Sequence, residues 1–314
     1  MWGGYRKFDP LKDIPDLSGK VILVTGGEFL LTDGNVGLGK ETILQLARHN
    51  PAHIYLAART QSKAEQAIAD IKKDVPDVRI TYLPLDLTSF ASIKKAADLF
   101  LAQSSRLDLL INNAGIMATP PGKTAEGYEI QFGTNHMGHA LLTKLLLPTL
   151  LETAKQPGTD VRVISVSSRA HNFALYPITY DQDELNSRFA MSRYAISKLA
   201  NIQYARELAA HYPHITSVSV HPGSISTDLY NSMENRGFLY GVVIPFMKSW
   251  IWASVQDGAK TQLWAATVSK DKLQNGAYYE PIGVKTLGSE FARDVTGSKR
   301  LWEWTQEELI AKGY

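Results

Sequence analysis

The chain is 314 residues long, 44% apolar and 20% charged, with a formal net charge of +2. That balance excludes a disordered chain, and the 33 lysines and arginines form no basic stripe, so no nucleic-acid partner is implied. The absence of cysteine excludes disulfides, thiolate nucleophiles and cysteine-ligated zinc.

No change of composition marks a linker, so the expectation is an N-terminal arm over residues 1–19 and a single domain over 20–314. Met1 to Pro15 lacks a continuous apolar stretch followed by small residues, which argues against a secretory signal and for a cytoplasmic protein. Lys20 to Thr25 reads as a fully buried strand that runs into glycine. Lys40 to His49 carries an apolar helical face, stopped by Asn50-Pro51. A strand from Ile54 to Ala58, a polar helix from Ser62 to Lys73, a strand from Val78 to Leu85 and a helix from Phe90 to Ala102 follow. Leu107 to Ile111 is the next strand, leading into Asn112-Asn113-Ala114-Gly115, and a long helix is expected from Tyr128 through Leu151. Val161 to Ser167 is a strand, Ser192 to His211 a helix, and Ile215 to Val220 a strand closed by His221-Pro222-Gly223. Apolar strands alternating with helices specify an α/β fold with a doubly wound, mainly parallel sheet.

The last third departs from this rhythm. Gly237 to Trp252 is apolar and aromatic but is interrupted by Gly241, Pro245 and Lys248, too broken for a transmembrane span. A lid over an apolar pocket, a dimer contact and a peripheral membrane contact through 237–252 all fit it. Ala259 to Thr267 reads as a sheet-covering helix, Gly276 to Tyr279 as the approach to a short final strand, and the tail as a helix docked by Trp302 and Trp304.

Several residues point to chemistry. Thr25-Gly26-Gly27 ends the first strand and Asn35-Val36-Gly37-Leu38-Gly39 opens the first helix, a glycine-rich crossover that lets backbone amides approach a pyrophosphate. Arg59, just after the second strand, suits the extra phosphate of NADP(H); an acidic residue there would suit NAD(H), which remains the alternative, and a plain solvent-facing arginine is the unremarkable reading. Tyr194 and Lys198 are four apart on one helical face, so the ammonium can favour the ionised phenol and make Tyr194 a proton donor and acceptor. Alone, such a pair is common on solvated helices. Strand alternation allows only one of Ser167 and Ser168 to face a pocket squarely. His136 and His139 are three apart without a carboxylate at zinc-motif spacing, so a packed or surface role is expected for both and no metal is implied.

Taken in order, Thr25-Gly26, Gly37-Leu38-Gly39, Asp86-Leu87, Asn112-Asn113-Ala114-Gly115, Asn135, Ser168, Tyr194 with Lys198, and Pro222-Gly223 with Thr227 resemble the short-chain dehydrogenase/reductase family. The likeness is to its classical-type members, such as retinol dehydrogenases and fungal reductases, and covers roughly Lys20 to Leu229. It implies a Rossmann-type fold with a C-terminal substrate lid at about 230–255. It also implies that Ser168 donates to the substrate oxygen, Tyr194 supplies the proton, Lys198 holds the nicotinamide ribose and lowers the tyrosine pKa, and Asn135 secures a relay water. Asp86 would contact the adenine end, Asn113 to Gly115 the nicotinamide ribose, Ile225 the carboxamide and Thr227 a phosphate.

One segment departs from the family pattern. Glu28-Phe29-Leu30-Leu31-Thr32-Asp33-Gly34 intervenes in the glycine-rich turn, and removing these seven residues restores the expected spacing. A gene-model error, a form with weakened cofactor binding and a functional protrusion are the three readings. The aromatic content of Tyr230 to Trp252, with Ala174, Leu175 and Tyr176 as the facing wall, implies a small lipophilic carbonyl or alcohol substrate. The alternatives are a binding protein that keeps the fold without turnover, and epimerisation or dehydration with bound cofactor. A homodimer or tetramer is what the resemblance allows.

Overall fold

The computed structural model describes residues 7–26, 37–223 and 254–314. Strands β1 (Val21–Thr25), β2 (His53–Ala58), β3 (Ile80–Pro84), β4 (Leu109–Asn112), β5 (Arg162–Val166), β6 (Thr216–Val220), β7 (Tyr278–Glu280) and β8 (Val284–Thr286) form one sheet in the order β3-β2-β1-β4-β5-β6-β7-β8. All neighbours are parallel except β7 and β8. The winding reverses at β1, which lies between β2 and β4, so a ligand crevice is expected where the carboxyl ends of β1 and β4 diverge.

Among the described residues the α-helices in chain order are α1 (Pro10–Asp13), α2 (Leu38–Ala47), α3 (Gln61–Asp74), α4 (Phe90–Leu101), α5 (Ile130–Phe132), α6 (Gly138–Ala154), α7 (Gln182–Ser187), α8 (Ala190–His211), α9 (Val255–Thr267), α10 (Glu290–Arg293) and α11 (Val295–Ala311). Alternation along β1 sends Ile22 and Val24 to one face and Leu23 to the other. On the first face, Ile43 and Leu46 of α2, Ala64, Ala67 and Ile71 of α3, and Leu263 and Trp264 of α9 complete the core. On the second, Phe100 of α4, Leu141 of α6, Ile196 of α8 and Leu301 of α11 do so. This is the doubly wound α/β sheet that the strand and helix rhythm predicts.

Four features differ from the sequence expectation. The helix expected to run unbroken from Tyr128 is α5, a π-turn over Gly133–Met137 and α6, with the Gly138 N–H donating to the Gly133 carbonyl. Such a turn holds one residue more than an α-turn and re-aims the side chains on it. The arm is packed: Phe8, Ile14 and Leu17 are buried, and the Asp9 carboxylate caps α1 by accepting from the Leu11 N–H. The short helices α7 and α10, each capped by a side chain (Asp181 and Ser289), and the antiparallel strand β8 had no sequence signal of their own. The tail helix docks through aromatics as expected, Trp302 stacking on His211 at 4.6 Å and Trp304 on Tyr180 at 4.8 Å.

Candidate active site

At the carboxyl ends of β1 to β4 lies a cavity of about 380 Å³, lined by Gly26, Arg59, Asp86, Ala114 and Gly115 among others. Gly26 has φ +74°, and a β-carbon there would lie 2.9 Å from the Ala114 Cα, so only glycine lets β1 turn this close to β4. Gly37 is the N-cap of α2. A β-carbon on Gly39 would be driven into the Gly26 carbonyl oxygen, so the start of α2 sits directly against the turn. Arg59 is exposed at the end of β2. The Asp86 carboxylate accepts from the Thr88 N–H at 2.9 Å and its hydroxyl at 2.8 Å, which shapes the rim after β3.

Asn113 is half-buried at the end of β4. Its amide donates to the carbonyls of Thr25 and Gly26, both at 2.9 Å, and accepts from Gln262 of α9 at 3.3 Å, so it holds the turn. Ile225 and Thr227, the segment 28–34, and the lid region apart from Ser254 and Val255 lie outside the described residues.

Beyond Gly115 lie Lys198 and Asn135, with Tyr194 on the same helix as Lys198 and Ser168 at the end of β5. Tyr194 and Lys198 share one face of α8, with the Lys198 ammonium 5.6 Å from the Tyr194 ring centroid. Lys198 is buried and donates to the Val166 carbonyl at 3.0 Å; burial pushes its pKa down to about 8. Its ammonium and the Asn135 Oδ1 flank Gly115, where a β-carbon would meet them at 3.2 and 3.1 Å. Ser168 follows β5 and caps a turn of 3₁₀ helix, its Oγ accepting from the Ala170 N–H at 3.1 Å. That bond uses a lone pair and leaves the hydroxyl proton to donate elsewhere. Ser167 is buried and donates to the Lys198 carbonyl at 2.7 Å, so its hydroxyl proton is committed, whereas Ser168 is only partly buried.

The π-turn explains where Asn135 points. Its side chain accepts from the Ile116 N–H at 2.8 Å and donates to the Ile116 carbonyl and the Ser197 hydroxyl, both at 2.9 Å. Ser197 in turn donates to the Tyr194 carbonyl at 2.7 Å, tying the turn to α8.

Sequence reasoning missed two groups here. His171 donates from Nδ1 to the Ser168 carbonyl at 2.7 Å and accepts at Nε2 from the Ser289 N–H at 3.1 Å, and its burial lowers its pKa. Arg193, beside Tyr194, is fully buried with Glu129 at 2.7 Å and donates to the Thr119 carbonyl at 2.6 Å. An arginine directly before the tyrosine, and a histidine three residues after the serine, were the available signals. Among the described residues, no helix is long and apolar enough to cross a membrane, and no group of His, Cys, Asp or Glu could hold a metal ion.

The family model described as short chain dehydrogenase matches residues 20–179. The chain belongs to the short-chain dehydrogenase family. A short-chain dehydrogenase/reductase of Armillaria gallica is 39% identical over 307 residues, covering 94% of this chain and 92% of the relative. Human retinol dehydrogenase 12 is 36% identical over 298 residues, covering 93% and 87%. Among solved structures, a protein of Mycobacterium paratuberculosis superposes with a TM-score of 0.70 at 28% identity, covering 95% of this chain and 96% of that one. Membership in the short-chain dehydrogenase family carries oxidoreductase chemistry, hydride transfer with an NAD(P) dinucleotide, and the crevice at the β1 and β4 ends is the place the fold provides for it.

Proposed function

We propose that this protein is an NADP(H)-dependent oxidoreductase that moves a hydride between the nicotinamide and a small lipophilic carbonyl or alcohol, with Tyr194 as acid and base. The observation that carries the reading is the approach of Lys198 and Asn135 to Gly115, which lines the cavity, with the Tyr194 ring 5.6 Å from the Lys198 ammonium. The residues present fit a dinucleotide: a glycine wall at Gly26 and Gly115, a helix beginning at Gly37, and Arg59 at the far rim as a partner for a phosphate. When bound, the cofactor supplies or accepts the hydride.

The chain's own groups manage the proton. As charge develops on a carbonyl oxygen, the Ser168 hydroxyl donates to it and the Tyr194 phenol gives up its proton. A free phenol titrates near 10, so the neighbouring ammonium of Lys198 is needed to favour the phenolate at neutral pH. With its pKa near 8, Lys198 is still mostly charged there. Asn135 keeps the Ile116 main chain fixed behind this pair.

Exposed Phe173, Leu175, Tyr176 and Phe189 lie on the stretches leading from Ser168 and into α8, which supports an apolar substrate. Retinol dehydrogenase 12, by its name, acts on an apolar alcohol. The same proposal takes residues 20–314 as one cytoplasmic domain with its substrate lid over 230–255, with Ile225 and Thr227 on the nicotinamide and phosphate side. The second reading, a fold that no longer turns over, is favoured by the segment Glu28 to Gly34 in the cofactor turn. The test is NADPH consumption with a panel of lipophilic aldehydes and ketones, for the whole chain, a variant lacking 28–34, and Tyr194→Phe. Turnover that falls about 10²- to 10⁴-fold in Tyr194→Phe is expected. Turnover only after deletion of 28–34 would favour the second reading, and none in either form would end the first.

A further inference from the structure

The main chain from Asn113 to Ile116 runs along the cavity toward Lys198, and side chains hold it at both ends. At one end the Thr25 hydroxyl accepts from the N–H groups of Asn113 at 3.0 Å and Ala114 at 3.1 Å. At the other, Asn135 accepts from the Ile116 N–H and donates to the Ile116 carbonyl, at 2.8 and 2.9 Å. His139 lies between these two holders, only 4% exposed. Its Nε2 is 2.8 Å from the Thr25 Oγ1 and its Nδ1 3.0 Å from the main-chain oxygen of Asn135. A carbonyl only accepts, so Nδ1 carries the proton and Nε2 receives that of Thr25. Every hydrogen-bonding site on the ring is then used, and the Thr25 hydroxyl is saturated as well.

We propose that His139 is a positioning residue of this site: its imidazole braces Thr25 against the Asn135 π-turn, and so fixes the Asn113 to Ile116 wall that borders both the dinucleotide crevice and Lys198. The inference rests on the hydride-transfer reading of the site. Gly115 shows why the spacing matters, because a β-carbon there would lie 3.1 Å from the Asn135 Oδ1 and 3.2 Å from the Lys198 Nζ. A displacement of the wall by about 1 Å is enough to cost on the order of 100-fold in rate in a positioned reaction. An apolar side chain of similar volume fills the same space but joins nothing; what the position supplies is the two bonds.

Three substitutions separate bonding from volume. His139→Leu removes both bonds, His139→Gln keeps an acceptor where Nε2 lies, and His139→Asn keeps a donor where Nδ1 lies. In the ligand-free protein, amide hydrogen exchange at Asn113, Ala114 and Ile116 is expected to quicken about tenfold or more in H139L, with the amides of β5 and β6 unchanged. H139Q should restore the rates at Asn113 and Ala114 only, and H139N the rate at Ile116 only. With NADPH and a carbonyl substrate, H139L should lower kcat about tenfold or more while the substrate KM stays within about twofold. Unchanged exchange at the three amides, or acceleration spread evenly over the sheet, overturns the proposal. Should H139L not fold, H139Q and H139N decide it alone through their opposite ends. A wild-type protein without turnover would refute the hydride-transfer function, and the exchange rates would then decide by themselves whether His139 holds the wall.

Discussion

Five buried histidines should make this protein unusually sensitive to mild acid. His136, His139 and His221 are 1%, 4% and 5% exposed, and burial pushes their pKa values down to about 3, 4 and 3. The unfolded chain takes up a proton on each near 6.5, so below that pH the unfolded state binds more protons than the folded one and stability falls. Between pH 7.5 and 5.5 each ring contributes a loss of about 1.4 kcal/mol, or about 4 kcal/mol for the three, against a total of about 5–15 kcal/mol for a typical protein. His53 and His171 are lowered in the same direction and steepen the fall. Asp70, held low by Lys40 and Lys73, also loses its contribution on acidification, but only below about pH 4, beneath this window. Urea unfolding followed by tryptophan fluorescence at pH 7.5, 6.5 and 5.5 measures the slope. His136→Gln, which keeps a polar partner for Thr305, should reduce the loss by about 1 kcal/mol. Equal stability at pH 7.5 and 5.5, within about 1 kcal/mol, would show that these rings are not held neutral in the fold.

Arg59→Asp should weaken NADPH binding about 10- to 150-fold while changing NADH far less, the worth of a charge-assisted bond to phosphate, measured by cofactor fluorescence; equal losses for both would remove the phosphate role. Gly39→Ala forces a methyl against the Gly26 carbonyl and should cost about 1–3 kcal/mol of stability together with NADPH affinity, read from urea midpoints and fluorescence titration. Arg193→Met leaves Glu129 buried without its partner and should destabilise by about 3–5 kcal/mol, with the Arg193→Met, Glu129→Gln pair recovering part of it; a single variant as stable as the parent would show that the pair is not closed to water.

The sheet was legible because each central strand is a short apolar run followed by a helix whose face matches its period. The strands β1, β2, β5 and β6 are buried along their whole length. Strand β8 was not, since Val284 and Lys285 are exposed and carry no alternation to read. Spacing and family likeness single out Ser168, Asn135, Tyr194 and Lys198, and of these the structure brings Asn135 and Lys198 together at Gly115. What Asn113 does was not legible: its residue type suits a ligand contact, and only the approach of Gly26 to Ala114 shows that its amide is already committed to the turn. For His139 the sequence implied only a packed or surface role, and the ring is packed. Its partner Thr25 lies 114 positions away, a separation that no periodicity reports.

Several departures from ordinary local rules gather around one stretch of main chain, and that gathering marks the site on physical grounds. Ala118 sits at φ +54°, an uncommon conformation for a residue with a β-carbon, and its N–H is held by the Gln131 side chain at 2.9 Å. The π-turn, the buried ammonium of Lys198 and the buried Arg193 and Glu129 pair all contact or flank residues 115–120. Each carries a cost in strain or desolvation that a strand and helix core has no need to bear. Natural folds concentrate such costs where geometry must be held against relaxation, so the wall from Asn113 to Pro120, rather than any single side chain, is the element the surrounding structure is built to hold still.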